Sequence, residues 1–168
     1  MITFDDGYEE TATIVAPLLR AYGLCATVFI APAEVGRPGF MTWEQITALP
    51  RETFVIGSHT MHHTFLPSVP VDRVRQELVE SKRVLEERLQ QPVRWLSYPI
   101  GGYTPQAQQA AREAGYEAAC TTNRGLSKRT HDLFALRRIK VTERDRPLSL
   151  WAKLSGYYDF FRRLEPPG

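Results

Sequence analysis

The sequence predicts an α/β domain with parallel strands, on three observations. Short apolar runs alternate with segments of helical periodicity along the chain. Three of the strand-like runs end in residues able to do chemistry, as parallel α/β folds arrange them at the carboxyl ends of their strands. And 168 residues, 43% hydrophobic and 24% charged, suffice for one domain with a real core but fall short of two. The expectation is a single domain over residues 1–168.

The elements follow in order. Met1 to Phe4 reads as a strand ending at two acids. Glu9 to Tyr22 reads as a helix with Ile14, Leu18 and Leu19 toward one face. Pro17 inside it predicts a kink or a late start, and Gly23 a stop. Cys25 to Ala31 is a second strand. Thr42, with Gln45 three residues on, carries a capping-box pattern for a short helix. Phe54 to Ile56 is a third strand, running into Gly57-Ser58-His59. Pro70 or Val71 opens a long helix to about Leu89, with Val74, Leu78, Val79, Val84 and Leu85 near one face. Val93 to Tyr98 is a strand, and Thr104-Pro105 starts a helix that ends at Gly115. Tyr116 to Thr121 and Phe134 to Val141 are two more strands. Leu148 to Leu164 reads as a final helix, ended by Pro166-Pro167. Its stripe of Leu150, Trp151, Leu154, Tyr157, Tyr158, Phe161 and Leu164 reads as packing against the sheet or as an aromatic wall for a ligand; Trp43 and Trp95 are open in the same way.

Bulk properties exclude several classes. A formal net charge of +2, with no basic run beyond pairs such as Arg137-Arg138 and Arg162-Arg163, gives no footprint for nucleic acid. No stretch approaches the ~18 apolar residues of a membrane helix, and no signal peptide is visible. The expected location is therefore the cytoplasm, or the chain is a fragment of an exported protein. Cys25 and Cys120 lie in apolar runs without metal-knuckle or CxxC spacing, and both are expected to be buried free thiols.

Three constellations carry chemistry. Asp5-Asp6 ends a strand, where adjacent side chains point in different directions; one acid can bind a metal while the other faces a reacting water. Gly7 permits the sharp turn that follows. Alone, the pair reads equally well as a helix cap. The second is Gly57-Ser58-His59-Thr60-Met61-His62-His63, which holds three of the four histidines. His59 and His63, at i and i+4, suit two imidazoles on one metal from one face of a helical turn, with His62 as the substitute at i+3. The third is the turn Ser97-Tyr98-Pro99-Ile100-Gly101-Gly102-Tyr103, which by itself is only a turn but could aim a backbone N–H at an oxyanion. Glycosidases also use paired acids, but several ångströms apart across a sugar ring, which adjacent acids do not match.

Thr3-Phe4-Asp5-Asp6-Gly7 followed by His59-Thr60-x-x-His63 resembles the first two motifs of the NodB-homology polysaccharide deacetylases, carbohydrate esterase family 4. The resemblance runs from residue 1 to about residue 141. It implies a deformed, incomplete (β/α) barrel with one divalent metal, usually zinc, although Co2+, Ni2+ or Fe2+ also suits such ligands. It makes Asp5 the catalytic base and Asp6, His59 and His63 the metal ligands. The family's third motif, Arg-x-Pro-Tyr-Gly, corresponds to Ser97-Tyr98-Pro99-Ile100-Gly101: the Pro and Gly remain, the Arg is Ser97 and the Tyr is Ile100. The backbone N–H of Ile100 can still serve the oxyanion, and Tyr98, Pro99 and Gly101 become candidate substrate contacts. Leu136-Arg137-Arg138-Ile139 is similar to a Leu-Pro-Arg-Ile run of exopolysaccharide-type members, which makes Arg138 the substitute partner of Asp5, with Arg137 second. The usual Leu-x-His motif that supplies a general acid is missing, and the histidine outside the cluster, His131, reads as an exposed loop residue. The implied activity is removal of N-acetyl groups from N-acetylhexosamine units of a glycan. The rivals are an amidase or imidase acting on a non-sugar C–N bond, and a metal-binding pseudoenzyme or binding module.

Overall fold

The computed structural model describes residues 1–125 and 132–155. Six strands form one sheet in the order β1 to β6, every neighbouring pair parallel: β1 Ile2–Phe4, β2 Ala26–Ile30, β3 Phe54–Ser58, β4 Trp95–Ser97, β5 Ala118–Arg124 and β6 Leu136–Arg138. The order never reverses, so the chain winds in one direction, as barrels do and doubly wound sheets do not. Flat, β1 and β6 would stand about 24 Å apart at the usual interstrand spacing. Yet Arg138 at the end of β6 hydrogen-bonds Thr3 Oγ1 at 3.2 Å and Asp5 Oδ1 at 2.7 Å beside β1. The sheet therefore curls into a half-barrel, as expected.

The connecting helices are α1 Ala16–Ala21, α2 Trp43–Ala48, α3 Val71–Leu89, α4 Pro105–Glu113 and α5 Pro147–Leu154. Pro17 delays α1 as its missing N–H requires: a π-helical turn over Thr11–Val15 precedes it. Gly23 closes it with paired bonds, Leu24 N–H to Leu19 C=O at 2.9 Å and Gly23 N–H to Arg20 C=O at 3.2 Å. The Thr42–Gln45 capping box forms at α2. β2 is buried throughout, and Val74, Leu78, Leu85 and Leu89 of α3 press on the sheet with Ile56 and Leu96. Each such fully buried side chain contributes roughly 1.5–3 kcal/mol.

Several expectations are corrected. Leu19 is buried, but Ile14 and Leu18 are exposed: Ile14 lies in the π turn, off the α-helical face, and Leu18 sits about 100° around α1 from its neighbour Leu19. Val79 is also exposed; the inner face of α3 is completed instead by Glu77 and Ser81, polar residues that periodicity passes over. Both cysteines are free, but Cys25 is exposed, just before β2 and outside its buried run. The strand expected over residues 134–141 is confined to β6 and preceded by a 3-10 turn at Leu133–Ala135. The final helix starts at Pro147; Tyr157, Tyr158, Phe161, Leu164 and the closing prolines lie outside the described residues, and Leu148, Trp151 and Leu154 are exposed. Among the described residues no helix is long and apolar enough to cross a membrane.

Within the strands, the backbone is closely approached at Gly57 in β3. A Cβ there would lie 2.5 Å from Phe29 Cδ1 and 2.9 Å from the Trp95 carbonyl oxygen. Gly57→Ala is expected to cost about 1–3 kcal/mol of stability through overpacking, read as a lowered urea midpoint at unchanged slope; an unchanged midpoint would show that the sheet yields at this point.

Candidate active site

All three constellations meet at the carboxyl-terminal rim of the curled sheet. After β1 the chain turns sharply: Asp6 has φ 73° and Gly7 φ 80°. The turn is tied down by Gly7 N–H to Asp5 C=O and by Met41 N–H to Gly7 C=O, at 2.9 and 3.0 Å, and Tyr8 stacks on Phe40. The reversal sends the two carboxylates apart. Asp5 faces β6 and Ser97, whereas Asp6 faces the histidines.

His59 directly follows β3 and is almost wholly buried. Its Nδ1 lies 2.7 Å from the Ser97 carbonyl oxygen. A carbonyl can only accept, so Nδ1 carries the hydrogen and Nε2 points at Asp6 Oδ1, 3.4 Å away. His63 Nε2 lies 3.1 Å from the same oxygen, and the two rings meet edge to face. The hydrogen bond from His59, opposed by burial and aided by the charges of both histidines, holds the Asp6 carboxyl below its ordinary range.

The sequence expectation of a helical turn here is corrected. Residues 59–64 form an irregular loop in which Thr60 and His63 have φ 63° and 54°. Two left-handed residues, not helical i, i+4 spacing, bring the imidazoles together. His62 turns the other way, with Nδ1 2.9 Å from Glu77 Oε1.

The third segment contributes backbone more than side chains. Ile100 sits at φ 57°, ψ 4°, is 69% exposed, and accepts a hydrogen bond from Thr122 Oγ1 at its carbonyl. Tyr98 is fully buried, its hydroxyl donating to the Phe134 carbonyl, and Pro99 and Gly101 are buried with it. Tyr98 and Pro99 thus pack within the scaffold, and a Cβ at Gly101 would collide with Thr122. Trp95 opens β4 at the opposite end from Ser97, and Trp43 lies beneath the Arg88 guanidinium, so neither lines this rim.

Arg138 grips Asp5 with both arms, Nη1 to Oδ1 and Nη2 to Oδ2, each at 2.7 Å. The guanidinium also donates to Ser97 Oγ at 3.0 Å and, through Nε, to the Thr121 carbonyl at 3.0 Å. Ser97 Oγ lies 3.4 Å from Asp5 Oδ2. So the residue that stands where the resemblance expects an arginine links the acid to the arginine that has moved to β6. Burial opposes the charge of Arg138, but the hydrogen bonds and charge of Asp5 prevail and raise its pKa. Arg137, the second candidate, is exposed on the same strand. His131 lies outside the described residues.

Comparison with known proteins fits this geometry. The family described as polysaccharide deacetylase matches residues 1–119. The chain belongs to that family. It is similar to YxkH of Bacillus subtilis, 32% identical over 142 residues, covering 84% of this chain and 51% of that protein. It is 33% identical over 118 residues to a peptidoglycan-N-acetylglucosamine deacetylase of Bacillus cereus, covering 69% of this chain and 53% of that protein. Among solved structures, the Streptococcus pyogenes deacetylase PplD in complex with acetate superposes with a TM-score of 0.86 at 26% identity, covering 90% of this chain and 68% of that one. The chain spans about half the length of the curated relatives it matches.

The donors of Asp6, His59 and His63 lie within 4.8 Å of one another. The two separations from Asp6 Oδ1, 3.1 and 3.4 Å, are close to the edge of a tetrahedron whose ligands stand about 2.0–2.1 Å from a central zinc ion. The residues present fit a divalent metal. Sequence reasoning missed Glu77 and the bridging part of Ser97; the one signal for Glu77 was an acid on the inner face of α3, between Val74 and Leu78.

Arg138→Met is expected to lower unfolding free energy by about 1.5–3 kcal/mol, since it strips charged hydrogen bonds from a half-buried carboxylate. A change under about 0.5 kcal/mol in urea denaturation, the level of an ordinary surface substitution, would show that water replaces the guanidinium.

Proposed function

We propose that this protein is a metal-dependent hydrolase that removes N-acetyl groups from N-acetylhexosamine units of a glycan. One observation carries the reading. A carboxylate clamped by an arginine, Asp5 with Arg138, stands beside a separate carboxylate–imidazole–imidazole cluster, Asp6 with His59 and His63, on one open rim. Two acids adjacent in sequence are thereby given two different electrostatic partners and two different tasks. The names of the relatives support the substrate class.

Asp6 and the Nε2 atoms of His59 and His63 would hold the ion, Zn2+ or, with the same donors, Co2+, Ni2+ or Fe2+. When bound, such an ion supplies Lewis acidity, polarising the acetyl carbonyl and making a neighbouring water easier to deprotonate. The chain supplies the rest. Asp5 takes a proton from the attacking water at the carboxylate that Arg138 and Ser97 hold in place. Charge developing on the carbonyl oxygen is met by the Ile100 N–H, whose loss would cost about 2.7–4 kcal/mol of barrier. Asp5, now protonated, can return the proton to the departing amine, a route that needs no histidine acid. Acetate and a free amine leave.

A second reading has its own support. The absence of a Leu-x-His acid motif fits a pseudoenzyme that binds glycan through the same rim without turnover. Acetate release from N-acetylglucosamine oligomers, with protein first stripped by chelator and then reloaded with Zn2+ or Co2+, separates the two. Release restored by metal is the expected result; one bound metal per chain with no release would favour the pseudoenzyme, or an amidase whose substrate is not a sugar.

Two sets of variants assign the roles. Asp5→Asn should retain metal while turnover falls by two or more orders of magnitude, on the order expected for a lost general base; undiminished turnover would remove Asp5 from that role. His63→Ala should lose metal by equilibrium dialysis while His62→Ala still binds it, at most more weakly, and the opposite pattern would exchange the two histidines.

A further inference from the structure

The most unusual buried group in the described chain lies outside the rim. Glu77, in the middle of α3, is 1% exposed, a position where an ionised carboxylate is costly unless well paired. Three close contacts from His62 and Arg73 pair it. Oε2 accepts from the His62 backbone N–H at 2.9 Å, and Oε1 accepts from His62 Nδ1 at 2.9 Å and lies 2.7 Å from Arg73 Nη2. Burial pushes the carboxyl up, but the bonds from the His62 backbone and ring and from Thr64 outweigh it and hold it below the usual glutamate range. Two of these partners, His62 and Thr64, belong to the loop that carries His59 and His63.

That loop does not hold its own shape. Thr60 and His63 both occupy left-handed backbone, which for a β-branched residue such as Thr60 is a real outlier that persists only when the surroundings hold it. Local ties exist: Ser58 Oγ accepts from Thr60 N–H at 3.2 Å, Thr60 Oγ1 accepts from Thr64 N–H at 3.1 Å, and Met61 C=O accepts from Ala33 N–H at 3.0 Å. None of them grips residue 62, the one directly before His63. Glu77 does. One turn further along α3, Ser81 hydrogen-bonds Ser58 Oγ at 2.8 Å and the Tyr116 hydroxyl at 3.1 Å, bracing the start of the same loop. The inner face of α3 thus meets the loop at both ends, through two polar residues spaced i, i+4.

We propose that Glu77 is a positioning residue for the metal centre: by fixing His62 through backbone and ring it keeps His63 in the left-handed conformation that aims its Nε2 at Asp6. This rests on the reading of Asp6, His59 and His63 as a metal site. Arg73, only partly exposed, completes the clamp by holding Glu77 from the solvent side.

The test is metal binding, not turnover. Wild-type chain, Glu77→Gln and Arg73→Met are titrated with Co2+ against a competing chromogenic chelator, with visible Co2+ absorption and melting temperature recorded with and without metal. Glu77→Gln is expected to bind Co2+ about 10–100-fold more weakly, the usual cost of losing a group that orients a ligand. Its Co2+ bands should shift, and its metal-induced rise in melting temperature should shrink. Arg73→Met, which keeps the Glu77–His62 bonds, should weaken binding in the same direction but less, and it carries the test if Glu77→Gln does not fold. Equal affinity and unshifted Co2+ bands in the variants, with apo and loaded melting temperatures lowered alike, would reduce Glu77 to a stabiliser of the fold and overturn the proposal. A wild-type chain that takes up no Co2+ would overturn the metal-site reading itself, a failure seen before any variant is compared.

Discussion

Arg138 and Asp5 join the last strand of the sheet to the first, and much of the rim depends on that one ion pair. Six parallel strands laid flat would separate these residues by about 24 Å, so the pair can form only when the sheet is curled. Once curled, the carboxyl ends of β1, β3, β4 and β6 surround one space. The same contact that closes the half-barrel also fixes the plane of the Asp5 carboxylate, because a guanidinium grips both oxygens at once. Architecture and chemistry share a bond here, and Ser97 and Thr121 hold the arginine to β4 and β5 between the two edges.

Around this closure the backbone is unusually bent. Five non-glycine residues have positive φ among the described residues, and four of them, Asp6, Thr60, His63 and Ile100, lie at the candidate site. The fifth, Gln90, merely ends α3. Strain concentrated in this way is held by the surrounding structure: the Gly7–Met41 bond behind Asp6, Ser58 and Glu77 around the histidine loop, and Thr122 beside Ile100. The site is therefore built on turns, but each turn is anchored to a strand or helix that packs in the core.

Family membership and local geometry bear on different questions. The match over residues 1–119 and the superposition on PplD account for the sheet and for the order of its motifs. They do not explain how this chain manages without an arginine at position 97. The local contacts do: a small hydroxyl leaves room for Arg138 to approach from β6 and is itself within hydrogen-bonding distance of both partners. The relocated charge reaches the same carboxylate from β6, two strands beyond β4 in the sheet.

The sequence by itself determined the kind of fold and named most residues of the candidate site. Alternating apolar runs and helical periods depend on local pattern, so the parallel strands, the Thr42 capping box, the break at Pro17 and the stop at Gly23 were legible residue by residue. Asp5, Asp6, His59 and His63 were legible too, because their spacing is itself a motif, and Arg138 could be named through its similarity to a known run. What only the tertiary structure decided is how these groups face one another. The left-handed turns at Asp6, Thr60 and His63 have no signal in residue type. The burial of Tyr98, the exposure of Ile14, Leu18 and Cys25, and the inward turn of Glu77 depend on which elements pack on either side. Long-range contacts such as Arg138 to Asp5, 133 residues apart, exist only after the sheet has curled, and periodicity reports one segment at a time.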